Sequence, residues 1–403
     1  MVVAPSMTSR ADAVSGRILG LLGTQGPTSR AAIARRLRLS PATVTQVIKE
    51  LVANGSVREL SSVPSNGGRP ATLLGLGRDG AGAVGVKIVA DHLAIVDVSI
   101  AGEVMRSTTV PFDPSGPNAI ERCSDILRDA VADHPGLLLG VGVGVPGSVD
   151  AQDNGVVTSS MIGWDRVPLG AVLREALGVP VLIDNDVHAV AAAQLLYGAG
   201  REFDTYLVVT IGLGIGCAVV VERSIYRGAH GGAGEIGHIP VTLDGPVCQC
   251  GATGCLEAYI GAPALVRQAR RDGVIGPRGT VATLHRAADR GEERALAAFH
   301  RAGSMLGRGL AGVANTLDPQ AIVLLGEGMT AWPHWQPGFD ATFRPHLMVD
   351  RRQLPIIRED WTDDHWALGA AALVMASPFD SDASGAQGGL VSARLQSMQV
   401  TAR

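Results

Sequence analysis

The sequence predicts an α/β protein that begins with a winged helix-turn-helix, and three patterns support this fold class. Short amphipathic helices and a pair of alternating strands fill residues 10–76. From Val84 onwards, short β-rich runs alternate with helical stretches, as is typical of α/β folds. The first 75 residues carry a net charge of +6, whereas the rest of the chain carries −10 within a total of −4. A basic head on an acidic body predicts a polyanion partner for the head.

The composition of the chain excludes several classes of protein. Its 403 residues are 46% hydrophobic and 18% charged, which excludes a wholly disordered chain and predicts two or three domains. No run of about 18 uninterrupted apolar residues occurs, so no membrane span is predicted. The first residues lack the charged and apolar regions of a secretory signal, and five cysteines are too few for a disulfide scaffold. We therefore expect a cytoplasmic protein.

Helical spacing in the head predicts three short helices. Val14, Ile18 and Leu22 mark the first, and Ser29 is placed to cap a second over residues 30–37. Ser40 caps a third helix, which has proline at its first position and an apolar stripe beyond it. Two short helices joined by a tight turn are typical of a helix-turn-helix, whose second helix enters the major groove of double-stranded DNA. Off the stripe lie the residues that we expect to contact DNA: Thr43, Thr45, Gln46 and Lys49.

A two-stranded wing is predicted over residues 57–76, because their hydrophobicity alternates around a Gly67-Gly68 turn. Arg69 follows this turn, and we expect it to enter a minor groove, where narrow spacing deepens the negative potential. The alternative is a structural three-helix subdomain whose basic face is only solvated. The charge balance, the wing and its Gly-Gly-Arg-Pro tip favour DNA binding.

The body of the chain begins after a glycine-rich linker at residues 77–83. The final residues, 377–403, are rich in Ser, Gly and Gln, which predicts a flexible tail. Periodicity predicts the strands between these two segments at 84–90, 93–99, 137–145, 180–184, 206–211, 216–221 and 321–325. Helices are predicted at 118–133, 186–197, within 262–316 and at 363–376.

Four residues with metal-ligand chemistry follow the spacing H-x9-C-x-C-x4-C: His238, Cys248, Cys250 and Cys255. Zinc prefers four tetrahedral sulfur and nitrogen ligands, so this set predicts a structural Zn²⁺ that holds a loop and couples metal uptake to folding. The alternative is three unrelated reduced thiols, although three of the five cysteines fall within eight residues. We expect the other two, Cys123 and Cys217, to be buried apolar side chains.

Around this cluster, the residues resemble those of the ROK family (repressors, open reading frames and sugar kinases). The resemblance covers about residues 10–376 and rests on the segments 142–147 (GVGVPG), 184–186 (DND), 212–216 (GLGIG), 233–238 (AGEIGH) and 248–257 (CQCGATGCLE). It implies an actin-like, sugar-kinase-like fold of two α/β lobes. The small lobe would be residues 84–190 completed by the helix at 363–376, and the large lobe, with the zinc loop and the sugar site, residues 191–362. A winged helix at residues 1–76 is the arrangement of the family's transcription factors.

The same resemblance implies which residues bind a sugar. In family kinases the aspartate that matches Asp186 is the base that accepts the proton of a sugar hydroxyl. Residues that hydrogen-bond the other hydroxyls match Asn185, Glu235, His238 and Glu257. Carboxylates at these places would distinguish sugars by the positions of their donor groups. His238 would have one ring nitrogen on the zinc ion and the other toward the sugar.

The nucleotide side departs from the family pattern. Family kinases carry a first phosphate motif resembling G-x-D-x-G-G-T-K, and the matching stretch here is residues 85–92. Lys87 replaces the aspartate, while Val89 and Ala90 replace the two glycines whose backbone would approach the phosphates. The segment 326–328 (GEG) differs from the family's glycine run near adenosine. Because phosphoryl transfer depends on positioning and charge neutralisation, we expect no catalysis, and Asp186 would be a vestigial base.

These observations lead to the hypothesis of a sugar-responsive repressor. It would be a homodimer or homotetramer that binds operator DNA and uses its body to bind a sugar or sugar derivative as effector. Two alternatives remain: an active sugar kinase with an appended DNA-binding head, and a repressor controlled by a protein partner. Residues 87–91 argue against the kinase, and the intact set of sugar-binding residues argues against the protein partner.

Overall fold

The computed structural model describes residues 10–53, 55–65, 68–77, 81–151, 154–362, 364–377 and 386–397. The chain divides into two compact units. Unit 1 comprises Met1–Arg201 and Asp364–Arg403, and unit 2 comprises Glu202–Asp363. The first segment of unit 1 ends at Arg201, after the helix Asp186–Leu196, which is continuous and belongs to unit 1.

The head of unit 1 is a winged helix-turn-helix. Its helices are α1 (Arg10–Gln25), α2 (Arg30–Leu37) and α3 (Pro41–Ala53), and its strands β1 (Thr28–Ser29), β2 (Val57–Ser65) and β3 (Gly68–Leu76) form a sheet in the order β1-β3-β2. Both predicted caps are present. Ser29 Oγ accepts the N–H of Ala32 at 3.3 Å, and Ser40 Oγ accepts the N–H of Thr43 at 3.1 Å. The predicted bounds of α2 and the predicted start of α3 are confirmed.

The body of unit 1 is built on a mixed five-stranded sheet in the order β11-β7-β4-β5-β6. Its strands are β4 (Ala81–Ile88), β5 (His92–Ser99), β6 (Val104–Pro111), β7 (Leu137–Val145) and β11 (Val181–Asn185). A small second sheet contains β8 (Ser148–Val149), β9 (Val157–Ser159) and β10 (Trp164–Val167). The helices are α4 (Ala119–Ala132), α5 (Leu169–Leu177), α6 (Asp186–Leu196), α12 (Asp364–Ala376) and α13 (Ala386–Ser397). Strands β4, β7 and β11 are parallel, so their carboxyl ends meet at one edge.

Helix α12 lies directly on this sheet because two strand residues are glycines. A Cβ on Gly85 would collide with the carbonyl oxygen of Ala367, and a Cβ on Gly142 would collide with that of Ala370. Glycine at these two positions therefore lets the backbone of the helix contact the backbones of β4 and β7. Gly142 belongs to the segment 142–147 that carries part of the family resemblance, and here it serves packing.

The composition of residues 377–403 predicts a flexible tail. This prediction is wrong for residues 386–397, which form helix α13. Val391 and Leu395 lie one turn apart on this helix, and both are buried. Arg394 Nε donates a hydrogen bond of 2.9 Å to the carbonyl oxygen of Leu138 on β7. Helix α13 also packs against α1 of the head. Two well-placed apolar side chains thus override a polar composition.

Unit 2 contains a second five-stranded sheet in the order β14-β13-β12-β15-β16. Its strands are β12 (Tyr206–Ile211), β13 (Ile215–Val221), β14 (Ser224–Tyr226), β15 (Ala321–Leu325) and β16 (Ile356–Arg358). Its helices are α7 (Glu257–Ile260), α8 (Ala262–Arg271), α9 (Val281–Asp289), α10 (Glu293–Leu317) and α11 (Trp332–His346). Helices α10 and α11 pack closely, since a Cβ on Gly303 or Gly338 would collide with the backbone of the other helix. Within the parts of the chain described above, no helix combines the length and the apolar character needed to cross a membrane.

Candidate functional site

The predicted recognition helix presents its polar residues to solvent. Thr43, Thr45, Gln46 and Lys49 are all exposed on α3, whereas its apolar stripe is buried. Three of them have local partners: Thr43 Oγ1 contacts Ser40 Oγ at 2.7 Å, Thr45 Oγ1 donates to the carbonyl of Pro41 at 2.8 Å, and Gln46 Nε2 donates to Glu50 at 2.8 Å. All three hydrogen bonds are exposed to solvent, so exchanging them for bonds to another polar partner costs little.

The wing is formed as the alternation predicts, since β2 and β3 pair in antiparallel register. Arg69 lies on β3, but its side chain and the turn residue Gly67 are outside the described residues. On the neighbouring helix α2, Arg35 and Arg36 are exposed. The head therefore presents cationic groups beside the recognition helix.

The Asp-Asn-Asp segment stands at the carboxyl end of β11, where the chain enters α6. Asn185 caps this helix, because its Oδ1 accepts the N–H groups of Val187 at 2.8 Å and His188 at 3.3 Å. Its Nδ2 donates to the carbonyl of Gly147 at 2.9 Å. An asparagine amide has two N–H donors, so at most one remains for a ligand. Asp186, the first residue of α6, is partly exposed.

Lys87 contacts Asp186 through an ion pair that sequence analysis did not foresee. Lys87 Nζ and Asp186 Oδ2 are in direct hydrogen-bond contact, and their side chains are only 8% and 13% exposed. The same ammonium lies 4.6 Å from the ring centre of Trp366 on α12, within the range of a cation–π interaction. Lysine in an otherwise wholly buried strand was the available signal, because a buried cation requires a partner.

A second buried pair, Asp184 and His188, stabilises the turn through which the chain enters α6. Asp184 Oδ1 accepts the N–H of Asn185 at 2.8 Å and lies 3.0 Å from Nδ1 of His188. The side chains of Asp184 and His188 are 3% and 1% exposed. The first aspartate of the segment thus holds the entry to α6, and its i, i+4 spacing to His188 was a signal that the sequence analysis missed.

In unit 2, the remaining residues assigned to sugar binding lie in or beside the short helical turn Ile236–His238. Glu257, at the start of α7, accepts the backbone N–H of Ile215 through its Oε2 at 2.9 Å. His238 Nε2 lies 3.7 Å from Glu235 Oε2, and both side chains are partly exposed. Glu235, His238 and Glu257 therefore offer polar groups in unit 2, whereas Asn185 and Asp186 belong to unit 1.

The four predicted metal ligands form one cluster in unit 2. Their donor atoms all lie within 4.8 Å of one another. Cys250 Sγ is 3.7 Å from Cys255 Sγ, and Cys248 Sγ is 3.5 Å from His238 Nδ1. Tetrahedral zinc with Zn–S bonds of 2.3 Å and Zn–N bonds of 2.0–2.1 Å would separate such atoms by about 3.8 and 3.5 Å. The set fits zinc, and Nδ1 is the nitrogen of His238 that faces it.

The backbone of the zinc loop positions these side chains. Cys248 N–H donates to the carbonyl of Ala252 at 2.8 Å, and Leu256 N–H donates to that of Ile239 at 3.0 Å. Gly254 has a positive φ of 78°, and a Cβ there would collide with the carbonyl of Thr242. Glycine is therefore required for the turn that brings Cys255 back to the cluster.

Burial and hydrogen bonding shift the pKa of cysteine thiols both inside and outside the cluster. Burial raises the pKa of the Cys123 and Cys217 thiols to about 12, so both stay protonated and lie in apolar cores, as predicted. A hydrogen bond from the backbone N–H of Ala252 lowers the pKa of the Cys250 thiol, while burial raises that of Cys255 to about 12.

Two carboxylates occupy the glycine loop at residues 212–216. A Cβ on Gly212 would collide with Oε2 of Glu327, and a Cβ on Gly214 would collide with Oε2 of Glu257. Glu327 belongs to the segment 326–328 that departs from the family pattern. The backbone of this loop therefore lies against two acidic side chains.

Comparisons with known proteins agree with this architecture. Residues 83–377 match the sequence profile of the ROK family, and residues 13–63 match that of the MarR family. The xylose repressor of Bacillus subtilis (strain 168) is 30% identical over 305 residues, which cover 74% of this chain and 78% of that protein. The DNA-binding transcriptional dual regulator NagC of Escherichia coli (strain K12) is 28% identical over 375 residues, which cover 89% and 91%.

Two solved structures share the fold. A ROK family transcriptional regulator, homologous to the Escherichia coli MLC protein, superposes with a TM-score of 0.76 at 24% identity, covering 97% of this chain and 98% of that one. A ROK family glucokinase from Streptomyces griseus, in complex with glucose and AMPPNP, superposes with a TM-score of 0.64 at 27% identity, covering 72% and 98%. The glucokinase match leaves out more than a quarter of this chain, whereas the regulator match spans nearly all of it.

Proposed function

This chain belongs to the ROK family, and from that premise we propose that it is a DNA-binding transcriptional regulator, a repressor that responds to a sugar or sugar derivative in the cytoplasm. The single observation that carries the proposal is the joining, in one chain, of a winged helix-turn-helix to a ROK body. The names of the xylose repressor and of NagC support it.

DNA binding is assigned to α3 and the wing. A helix-turn-helix places its second helix in the major groove, where side chains such as Gln46 can contact base edges. Lys49 is exposed on the same helix, and we propose that it contacts a phosphate. Arg69 is proposed to enter the adjacent minor groove.

Loss of these cations should change the salt dependence of DNA binding. We expect Lys49→Ala and Arg69→Ala each to weaken operator binding and to reduce the slope of log affinity against log salt by about 1, because each removes one counterion-releasing contact. Fluorescence anisotropy over a salt series measures this. Arg128→Gln, at an exposed arginine of α4, is the matched control and should leave the slope unchanged. An unaltered slope in both head variants would refute the assignment.

We propose that the hydroxyl groups of the sugar form hydrogen bonds with five residues: Asn185, Asp186, Glu235, His238 and Glu257. With Nδ1 of His238 facing the cysteine thiols, a bound Zn²⁺ would supply charge and would leave Nε2 to carry the ring proton. That N–H can donate to a ligand oxygen or to Glu235. Asn185 can contribute one amide N–H, while the carboxylates accept hydrogen bonds from hydroxyl groups.

Glu257→Ala should abolish the response to the sugar and leave DNA affinity unchanged, because Glu257 is in unit 2 and the head is in unit 1. Glu257→Gln separates the loss of the negative charge from the loss of the hydrogen bond with Ile215. Its amide oxygen can still accept the N–H of Ile215, while the charge is removed. We expect Gln to preserve the fold of the loop and still weaken the sugar response. Titration of the effector into a protein–DNA complex measures both variants. Loss of DNA binding in Glu257→Ala would undermine this scheme.

We propose that the body does not transfer phosphate. The contact with Lys87 occupies one oxygen of Asp186, which leaves a single oxygen of this vestigial base for a hydroxyl proton. The carboxylates of Glu257 and Glu327 oppose a phosphate at the loop 212–216. A coupled assay for ADP release with a panel of hexoses tests this proposal, and turnover above background would establish the kinase instead.

The proposed mechanism of regulation is a population shift. The effector favours one conformation of the body, which changes the placement of the two heads in a dimer and spoils the half-site spacing that operator DNA requires. Sugar binding therefore relieves repression.

The decisive experiment is fluorescence anisotropy of the protein on its own upstream DNA, at fixed salt, with a panel of sugars and sugar phosphates. Release from DNA by one compound supports the proposal and identifies the effector class. Tight binding that no compound alters would favour control by a protein partner. No DNA binding would overturn the proposal and reopen the kinase alternative.

A further inference from the structure

Three side chains of unit 2 that the sequence analysis did not single out converge at the ends of two helices. His285 and Asp289 are four residues apart on α9 and so lie on one face of it. His334 comes from the first turn of α11. Asp289 Oδ1 lies 3.4 Å from Nε2 of His285 and 2.8 Å from Nε2 of His334. A single oxygen of Asp289 thus lies close to the Nε2 atom of each histidine.

The buried ring of Phe299 holds both imidazoles in place. His334 stacks on it with ring centres 5.8 Å apart, and His285 meets it edge-on at 6.4 Å. The two imidazoles are themselves 5.5 Å apart at an interplanar angle of 71°. Aromatic packing of this kind restricts ring rotation, so the two Nε2 atoms are directed at Asp289 before any ligand arrives.

Electrostatics at this place favour a cation. Asp289 is the last residue of α9, and a carboxylate at the carboxyl end of a helix is disfavoured by the helix dipole. A bound cation would offset the charge of the Asp289 carboxylate and the partial negative charge at the carboxyl end of α9. The side chains of His285, Asp289 and His334 are 26%, 52% and 16% exposed, so an ion could enter from solvent.

We propose that His285, Asp289 and His334 form a second metal site, which binds a divalent transition-metal ion of the zinc class. Their donor atoms all lie within 4.8 Å of one another, and zinc bonds of about 2.0–2.2 Å would place tetrahedral ligands roughly 3.3 Å apart. Two imidazoles and one carboxylate suit Zn²⁺, Co²⁺ or Ni²⁺, whereas Mg²⁺ and Ca²⁺ prefer oxygen ligands alone.

This site differs in kind from the cysteine cluster. It has three protein ligands and would leave one coordination position of the ion to water, whereas the cluster offers a closed shell of four protein ligands. A bound ion would link α9 to α11 and stabilise unit 2 by an amount that rises with the logarithm of the free metal concentration above the Kd. The inference goes beyond the proposed function and needs neither DNA nor a sugar.

Metal counting on the full chain tests the proposal. After removal of bound metal, equilibrium dialysis against Zn²⁺ and elemental analysis should find two zinc ions per chain, one held more weakly. Asp289→Asn and His334→Gln should each lower the affinity for the weaker ion by more than the roughly 10–100-fold that loss of an outer-shell partner costs. The matched control is His300→Gln, at an exposed histidine of α10, which should still bind two.

Cobalt distinguishes the two sites by spectroscopy. The first equivalent of Co²⁺ should show the thiolate charge-transfer band of the cysteine cluster, and the second should add d–d absorption without increasing that band. Circular dichroism verifies that both variants are folded, and the charge-transfer band should persist in both. One zinc ion per chain in the wild type, or a second ion that both variants retain unchanged, would overturn the assignment.

Discussion

Lys87→Met is expected to lower the free energy of unfolding by about 3–5 kcal/mol, because it leaves the carboxylate of Asp186 nearly buried without its cation. The side chains of Lys87 and Asp186 are only 8% and 13% exposed. Water can therefore solvate the unpaired carboxylate only weakly and compensates little of the loss. Methionine also gives up the cation–π contact with Trp366. Urea denaturation followed by far-ultraviolet circular dichroism measures the change as a shift of the midpoint at constant m-value.

The chain supplies a matched control for this substitution. Its other lysine, Lys49, is exposed on α3, and Lys49→Met should change the free energy of unfolding by no more than about 0.5 kcal/mol. The double variant Lys87→Met with Asp186→Leu should recover most of the loss, since apolar residues of similar volume can replace a buried ion pair. A loss below about 1 kcal/mol in Lys87→Met, or no recovery in the double variant, would show that the two residues are not coupled.

Cys255→Ser should remove tightly bound zinc and abolish the sugar response. The substitution deletes one of four ligands, and structural zinc sites in zinc-finger peptides contribute on the order of 10–16 kcal/mol of binding free energy that holds the fold. Without the metal, Nδ1 of His238 has no ligand bond to fix the orientation of its ring. The loop that carries Cys255 and ends at Glu257 is then no longer held together by its ligands. We expect sugar affinity to fall about 100-fold or more, with DNA affinity unchanged because the head lies in unit 1.

Elemental analysis and sugar titration measure these two consequences separately. Cys217→Ala, at a buried thiol of the same unit that lies outside the cluster, controls for the loss of a cysteine and should keep both zinc and the response. If Cys255→Ser retains tight zinc, the cluster does not hold the metal. If it loses zinc and keeps the sugar response, the metal does not support the sugar site.

Several elements departed from expectation for identifiable reasons. Helix α11 was not predicted, since Pro337 and Pro345 lie inside it and proline disfavours helix interiors. It forms because Trp335, Phe339 and Phe343 are all buried against the core, and packing outweighs propensity. Helix α13 was predicted as tail because its composition is polar, and it is ordered by two buried residues and by contact with α1.

The amino-acid pattern suffices to predict the head, most of the strands of the two five-stranded sheets and the four members of the metal cluster. These features depend on capping, periodicity and spacing, which act over a few residues or within one loop. The partners of the charged groups, in contrast, depend on how the chain folds in three dimensions. Lys87 meets Asp186 across 99 positions, and His334 meets Asp289 across 45. Such pairs form only where the fold brings distant segments together and withdraws them from water, so no local pattern identifies them.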